Sequence, residues 1–284
     1  MRHTYFRKTS KGVEMNEADA VSWQDRWRIQ MEDMAARSDT QYWNRRAEDY
    51  NNFIVSSSFE YGERMAEILH SNTMLGADSN VLEIASGVGA VTLPLARRAA
   101  RVTAVEPAQS MADLLEENAS AANINNVSPE VTDFATFAAQ TQDNAFDLAF
   151  LCHAAWQFPD AAWLIEEMSR LSSGHCCLAD TMGQGDPENL AMQKKLGINA
   201  PEVDRPFYLY NVLNELGRPA SLSNVSYMMR RSEDSARSMW TNLVSKYRTV
   251  SEQDTEMINE HIATRSTNGV YEVPATMTMM WWKA

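Results

Sequence analysis

The chain has 284 residues, 44% of them hydrophobic and 22% charged, an ordinary globular composition with room for one large domain or a domain and a small cap. Its net charge of −13 describes a surface that repels phosphate backbones, and no basic run is longer than Arg97-Arg98 or Arg230-Arg231, so nucleic acid is not an expected partner. No apolar run approaches the roughly 18–20 residues of a membrane helix, and the basic, polar start of the chain is followed by no apolar stretch; neither a membrane span nor a signal peptide is expected, and the cytoplasm is the expected compartment.

Residues 1–55 are polar and rich in Trp, Tyr and Arg. Asn16 to Arg37 reads as a helix and Thr40 to Tyr50 as a second, shorter one. Neither carries an apolar stripe wide enough to form a core alone, so the segment should pack on something else, with Trp23 and Trp27 as a docking face. Ser57-Ser58-Phe59-Glu60 has capping-box spacing and predicts a helix start, followed by Tyr61, Met65, Ile68 and Leu69 on one face.

From there the texture alternates. Val81–Ile84, Val102–Val105, Val127–Val131, Phe146–Leu151 and Cys176–Ala179 read as strands. Between them lie the helical stretches Val91–Ala100, Ser110–Ala122 (with a Ser110…Asp113 cap) and Asp160–Leu171. Such alternation predicts an α/β fold, a doubly wound and mostly parallel sheet with helices on both faces. The rhythm then breaks. Asp186-Pro187 and Arg205-Pro206 each open a helix, the second ending at Gly217, and Ser221–Met229 reads as a strand. Ser232–Tyr247 and Ser251–Ala263 are helical, and Val273–Trp282 is a closing strand. Cys152, Cys176 and Cys177 match neither a disulfide framework nor metal-ligand spacing, so buried strand thiols and no metal are expected.

The chemistry concentrates at the ends of the first four strands. Val81-Leu82-Glu83-Ile84-Ala85-Ser86-Gly87-Val88-Gly89-Ala90 is a strand ending in a carboxylate, then a small-residue turn feeding a helix. The glycines let backbone approach a ligand, while Glu83 and the helix end suit a polar portion such as an ammonium and carboxylate. Glu106, in Val105-Glu106-Pro107, stands where a carboxylate can accept both hydroxyls of a ribose. Ser110-Met111 places a thioether where a purine face could rest, and Asp133-Phe134 offers an acceptor for an amino group beside an apolar ring. After the fourth strand comes the polar-aromatic loop Cys152 to Asp160, with His153 as a candidate base and Trp156 as a candidate pocket wall or cation–π contact. All four loops leave carboxyl strand ends, where open α/β sheets bind ligands.

The ordered set Glu-x-Ala-x-Gly-x-Gly, Val-Glu-Pro with Ser-Met, Asp-Phe, and Phe-Asp-Leu with His-x-x-Trp resembles the class I S-adenosylmethionine-dependent methyltransferase family, over residues 57–182 above all. The resemblance implies a seven-stranded sheet, S-adenosyl-L-methionine as cofactor, and methyl transfer. It implies that Glu83, Ala85, Ser86, Gly87 and Gly89 hold the methionine part. It likewise assigns the ribose to Glu106 and the adenine to Asp133 and Phe134, with Pro107 and Met111 as further candidate cofactor contacts beside them. Arg45-Arg46-Ala47-Glu48-Asp49-Tyr50 is similar to the Tyr-bearing helix that precedes the core in small-molecule members, which adds Tyr50. Ala85 and Val88 depart from the family pattern, standing where a glycine and commonly a threonine are found.

The expected organisation is a helical lid segment over 1–55 and a cofactor-binding domain over 56–284 with a helical insert at about 183–218. The acidic surface and the insert, Gly183–Arg218 with Ser232–Ala263, make a small organic molecule reached under a lid the expected acceptor, and with no Asn/Asp-Pro-Pro-Tyr/Phe motif present the resemblance does not extend to base-amine methylases. Plainer readings stand beside these: a structural Gly-x-Gly turn, Asp133 as a helix cap, His153 and Trp156 as loop packing. Two rival functions also remain. A nicotinamide-dependent oxidoreductase would want a third glycine where Thr92 stands. A catalytically silent cofactor-binding scaffold would keep the same motifs.

Overall fold

A computed structural model describes residues 21–182, 186–198 and 203–284. Eight strands form one sheet: β1 (Asn80–Ile84), β2 (Arg101–Val105), β3 (Val127–Glu130), β4 (Phe146–Cys152), β5 (Ser172–Thr181), β6 (Ser221–Ser232), β7 (Ser266–Thr267) and β8 (Val270–Lys283). The spatial order is β3-β2-β1-β4-β5-β8-β6, with two-residue β7 off this seven-strand path and paired to β8. β1 to β5 are mutually parallel, and β8 lies antiparallel between β5 and β6. A two-residue Asn268-Gly269 loop, both residues at positive φ, joins β7 to β8 as a tight hairpin turn. The order reverses between β1 and β4, which opens a crevice beyond their carboxyl ends.

Strand side chains alternate between two cores because the strand period is two. Val81, Leu148, Phe150, Cys177 and Met279 face one side, packed against Met65 and Leu69 of α3 (Glu60–Ser71) and Phe53 of α2 (Thr40–Ser56). Leu82, Ala149, Leu151, Cys176 and Trp282 face the other. There they meet α7 (Ala161–Leu171), α9 (Arg205–Glu215) and Trp27 and Met31 of α1 (Trp23–Ala36). Adjacent Cys176 and Cys177 are thus free, buried thiols on opposite faces.

The N-terminal helices are held by long-range contacts, as their thin apolar stripes require. Trp27 is fully buried and its Nε1 donates to the Phe158 carbonyl (2.9 Å), while Trp23 sets its ring edge-on to Phe207 and Tyr208. α1 starts at Trp23 under a Ser22 cap; the expected start at Asn16 lies outside the described residues. α2 ties to α5 (Gln109–Ala121) through Asn44, whose Oδ1 accepts from Ser110 N–H, and to β6 through Asn52 and Ser232 N–H.

Two local expectations fail. Ser57 closes α2 and does not cap α3: Arg230 N–H donates to its hydroxyl, which donates back to the Arg230 carbonyl. α3 instead begins after a left-handed Ser58-Phe59 turn with no side-chain cap. α5 has no Ser110 cap either, since Glu106 and Asn44 take the N–H groups of Ala108 and Ser110. In each case a longer-range partner outcompetes the local hydroxyl. The helix after the β1 turn, α4 (Thr92–Ala96), is shorter than expected. α6 (Phe134–Gln140) follows β3, and a 3-10 turn (Ala155–Gln157) follows β4.

The insert divides. α8 (Pro187–Lys195) packs with α10 (Glu233–Ser245) and α11 (Glu252–Arg265) in a separate core around Trp240, whereas α9 joins α1 and α7.

Candidate functional site

The loops after β1 to β4 border a cavity of about 200 Å³ at the reversal point, roofed by Trp43 and Tyr50 of α2. Ala85, Gly87, Glu106, Pro107, Met111, Asp133, Phe134 and His153 line it, so most of the residues singled out from separate stretches of chain meet at one place.

The β1 turn bends through three positive φ angles, at Ala85 (55°), Gly87 (56°) and Gly89 (92°). Gly89 is dictated by space as well, because a Cβ there would come 2.5 Å from a Leu115 methyl carbon. Ala85 pays the left-handed strain that a glycine at this position would avoid. Gly87 leaves its open side toward Tyr50 and donates its N–H to Glu106 Oε2 (2.9 Å). Ala108 N–H donates to Glu106 Oε1 at the same distance. The Glu106 carboxylate is 7% exposed; burial raises its pKa, and the two N–H groups oppose that rise. A carboxylate offers about four acceptor positions, so about two remain beside the cavity.

Glu83, Ser86 and Gly89 do not line the cavity; they lie in and behind the turn. Glu83 is 2% exposed, and burial pushes its carboxyl up to about 8, opposed by the Thr92 hydroxyl and reinforced by Glu106. Glu83 Oε2, Ser86 Oγ and Thr92 Oγ1 are all buried without a partner at full hydrogen-bond geometry, the Thr92 hydroxyl lying near the Glu83 carboxyl but not squarely on it. Three orphaned polar atoms in one strand-turn-helix are costly unless something polar meets them.

Asp133 caps α6, accepting from Thr136 N–H (2.9 Å) and Thr136 Oγ1 (2.7 Å), and these bonds hold its carboxyl below the usual range. The plainer helix-cap reading is therefore realised, yet the residue also stands on the cavity wall. Met111 and Phe134 are buried beside it, with Phe134 edge-on to Phe158 and Trp163.

His153 sits in the left-handed region (φ 58°), pinned by its N–H to the Ala179 carbonyl (2.7 Å). Its Nδ1 is 2.9 Å from Thr181 Oγ1 and 3.6 Å from Asp180 Oδ1, which leaves Nε2 for another partner. Asp180 is fully buried. Burial pushes its carboxyl up, but Arg205 of α9, 2.8 Å away, and His153 pull it down to about 2. Trp156 does not line the cavity. Its Nε1 donates to the His153 carbonyl (3.0 Å), and its ring leans on Trp43, so it braces the wall from behind.

Sequence reasoning missed Trp43, Asp180 and Arg205. Trp43 could have been found, since it precedes Tyr50 by two helical turns and shares its face. Asp180 carried the signal that drew attention to Glu106, a carboxylate at a strand end. Arg205 had no such signal. Among the described residues no group of three or more potential ligands could hold a metal ion.

Residues 81–173 match the family described as Methyltransferase domain. No curated protein matches the chain. Among solved structures, a proposed methyltransferase from Bacillus halodurans is similar at 18% identity and TM-score 0.50, covering 77% of this chain and 97% of that one. A cyclopropane-fatty-acyl-phospholipid synthase-like protein from Lactobacillus casei is similar at 15% identity and TM-score 0.51, covering 80% and 92%. Identities this low speak for the fold. Residues 81–173 are therefore a methyltransferase domain, and the chain has the class I, S-adenosylmethionine-dependent methyltransferase fold that its motifs resemble.

Proposed function

We propose that the protein transfers a methyl group from S-adenosylmethionine to a small organic acceptor. The observation that carries this reading is Glu106, a buried carboxylate fixed by two backbone N–H groups at the edge of the crevice, with acceptor capacity to spare. Such a group suits a ribose diol. The orphaned Glu83, Ser86 and Thr92 atoms suit the polar amino-acid end of the same cofactor.

S-adenosylmethionine, when bound, supplies a methyl group already activated on a sulfonium. The protein's task is then to hold, orient and exclude water. In this reading Glu106 and Pro107 hold the ribose, while Met111 and Phe134 flank the adenine and Asp133 accepts from its amino group. The Ala85-Ser86-Gly87-Val88-Gly89 turn and Glu83 meet the methionine part under Tyr50. His153 takes a proton from the acceptor where one must leave, with Trp156 bracing the wall beside it.

A small acceptor is favoured by Trp43 and Tyr50 of α2 bordering the cavity and by the acidic surface, which also disfavours nucleic acid. Of the 1–55 segment and the 183–218 insert, we assign the described parts, residues 21–55, 186–198 and 203–218, to a cap on the core that begins at residue 56; residues 1–20, 183–185 and 199–202 lie outside the described residues. α2 lines the cavity, whereas the described part of the insert approaches it through the Arg205–Asp180 pair. Among the described residues no helix is long and apolar enough to cross a membrane, in keeping with a cytoplasmic place of action.

Isothermal titration tests the reading. S-adenosylhomocysteine should bind and NAD should not, and Glu106→Ala should weaken binding by about tenfold or more, through loss of charged hydrogen bonds of roughly 1.5–3 kcal/mol each. Binding of NAD with no response to S-adenosylhomocysteine would overturn it.

A further inference from the structure

Beneath α2, beside the cavity, lies a group of charges that the cofactor assignments do not use. Arg46 of α2 donates from Nε and Nη2 to both oxygens of Asp49 (3.1 and 2.9 Å) and from Nη1 to the Tyr42 hydroxyl. Asp49 is thereby committed. Arg231 of β6, 4% exposed, approaches the same carboxylate only to 3.8 Å, and its Nη1 is buried with no hydrogen-bond partner. Lys246, just after α10, donates to Ser38 Oγ (2.8 Å) and lies over the Tyr42 ring, with no carboxylate paired to it among the described residues.

Arg46 and Arg231 thus share one carboxylate, and Lys246 adds a third positive charge whose field meets that of Arg46. Arg231 also lies over the Phe53 ring (5.0 Å), but a buried guanidinium with so weak an ion pair and an unbonded Nη1 is costly, and a fold retains such a group more readily where something compensates it. The surroundings register the excess: burial lowers Arg231 to about 10 and Lys246 to about 8, and in both cases the charge of Arg46 adds to the effect.

The cluster adjoins the cavity through aromatic rings. The Arg46 guanidinium lies 5.9 Å from the centre of Trp43, a roof residue, and the Lys246 ammonium 5.7 Å from Trp156, which supports His153. Tyr50, the other roof residue, feels the charges of both Arg46 and Arg231. On the cofactor side the charged groups are the carboxylates Glu106 and Asp133, so the positive excess lies on the other side of the roof.

We infer that the ligand taken beside the cofactor is an anion, carrying a carboxylate or phosphate group that Arg231 and Lys246 receive while Arg46 stays locked to Asp49. The methyl-transfer reading enters only in naming this ligand the acceptor. Arg231 provides the buried, directional donor, and Lys246 the partly exposed one. The aromatic rings between the cations and His153 suit an acceptor with an apolar or aromatic body and an acidic end.

The test uses the full chain, with and without S-adenosylhomocysteine, and reads thermal stability and calorimetric binding. The probes are inorganic phosphate and benzoate, with benzamide as the neutral isostere of benzoate. At least one anion should bind saturably, with an affinity that falls as salt rises, and benzamide should not. Arg231→Met should fold with undiminished stability, since it removes an underpaired buried charge, and should weaken anion binding about tenfold or more. Lys246→Met should weaken it less. Neither change should alter S-adenosylhomocysteine binding. Absence of any saturable anion response, or an unaltered response in Arg231→Met, would overturn the inference. So would a markedly destabilised Arg231→Met, which would mark the arginine as a structural partner of Asp49. Failure of the cofactor to bind would instead strike the methyl-transfer reading and leave the anion result standing.

Discussion

Glu83 makes a quantitative prediction because it is a carboxyl buried at the end of β1 with one oxygen unpartnered. Burial moves it from an ordinary value of 4.5 to about 8. A carboxyl raised in the folded state keeps a proton that the unfolded chain has already released. Stability therefore falls as pH rises between about 4.5 and 8, with a limiting slope of about 1.4 kcal/mol per pH unit. Over the two and a half units from pH 4.5 to pH 7 the accumulated penalty is about 3 kcal/mol. Glu83→Gln removes the titration while keeping the shape, so the variant should gain on the native protein as pH rises through this window. Urea unfolding of both proteins at pH 5, 6, 7 and 8 gives the comparison. The pH dependence of the difference is the readout, because a fixed cost of placing the amide cancels from it, and Glu106, also raised by burial, is present in both. A difference that stays flat from pH 5 to pH 8 would refute the reasoning and give Glu83 an ordinary carboxyl's titration.

Ala85→Gly should stabilise the protein by about 0.5–1 kcal/mol, measured by urea unfolding, because it relieves a left-handed Ala at φ 55° against the smaller entropic cost of a glycine. Once an acceptor is identified, His153→Ala should lower single-turnover rates roughly 100-fold and abolish their pH inflection; an unchanged profile would leave positioning alone as the source of rate.

Much of the fold was legible because it is encoded by near neighbours. The period-two alternation of Leu148–Phe150 against Ala149–Leu151, and the stripe of Leu164, Ile165 and Met168, declare which face each element buries before any partner is known. The cofactor side of the candidate site was legible for a related reason: Glu83, Gly87, Glu106 and Asp133 each sit at a strand end, and parallel topology brings strand ends together. Competition between partners is what local spacing could not decide. Ser57 and Ser110 had cap spacing, yet the Arg230 backbone and Asn44 arrived from 173 and 66 residues away.

The charges show the limit most clearly. Arg46, Arg231 and Lys246 come from α2, β6 and the end of α10, and in sequence each reads as an ordinary surface cation. Only packing α2 across β6 and α10 buries Arg231, sets it with Arg46 against a single Asp49, and brings Lys246 within the field of Arg46. In the same way His153 was visible as a strand-end histidine, while its Asp180–Arg205 support required α9 to fold back onto the end of β5. Periodicity and strand-end chemistry are properties of a few adjacent residues. Desolvation and ion pairing belong to whichever distant segments the tertiary fold presses together, and they decide which of these charges is left unpaired.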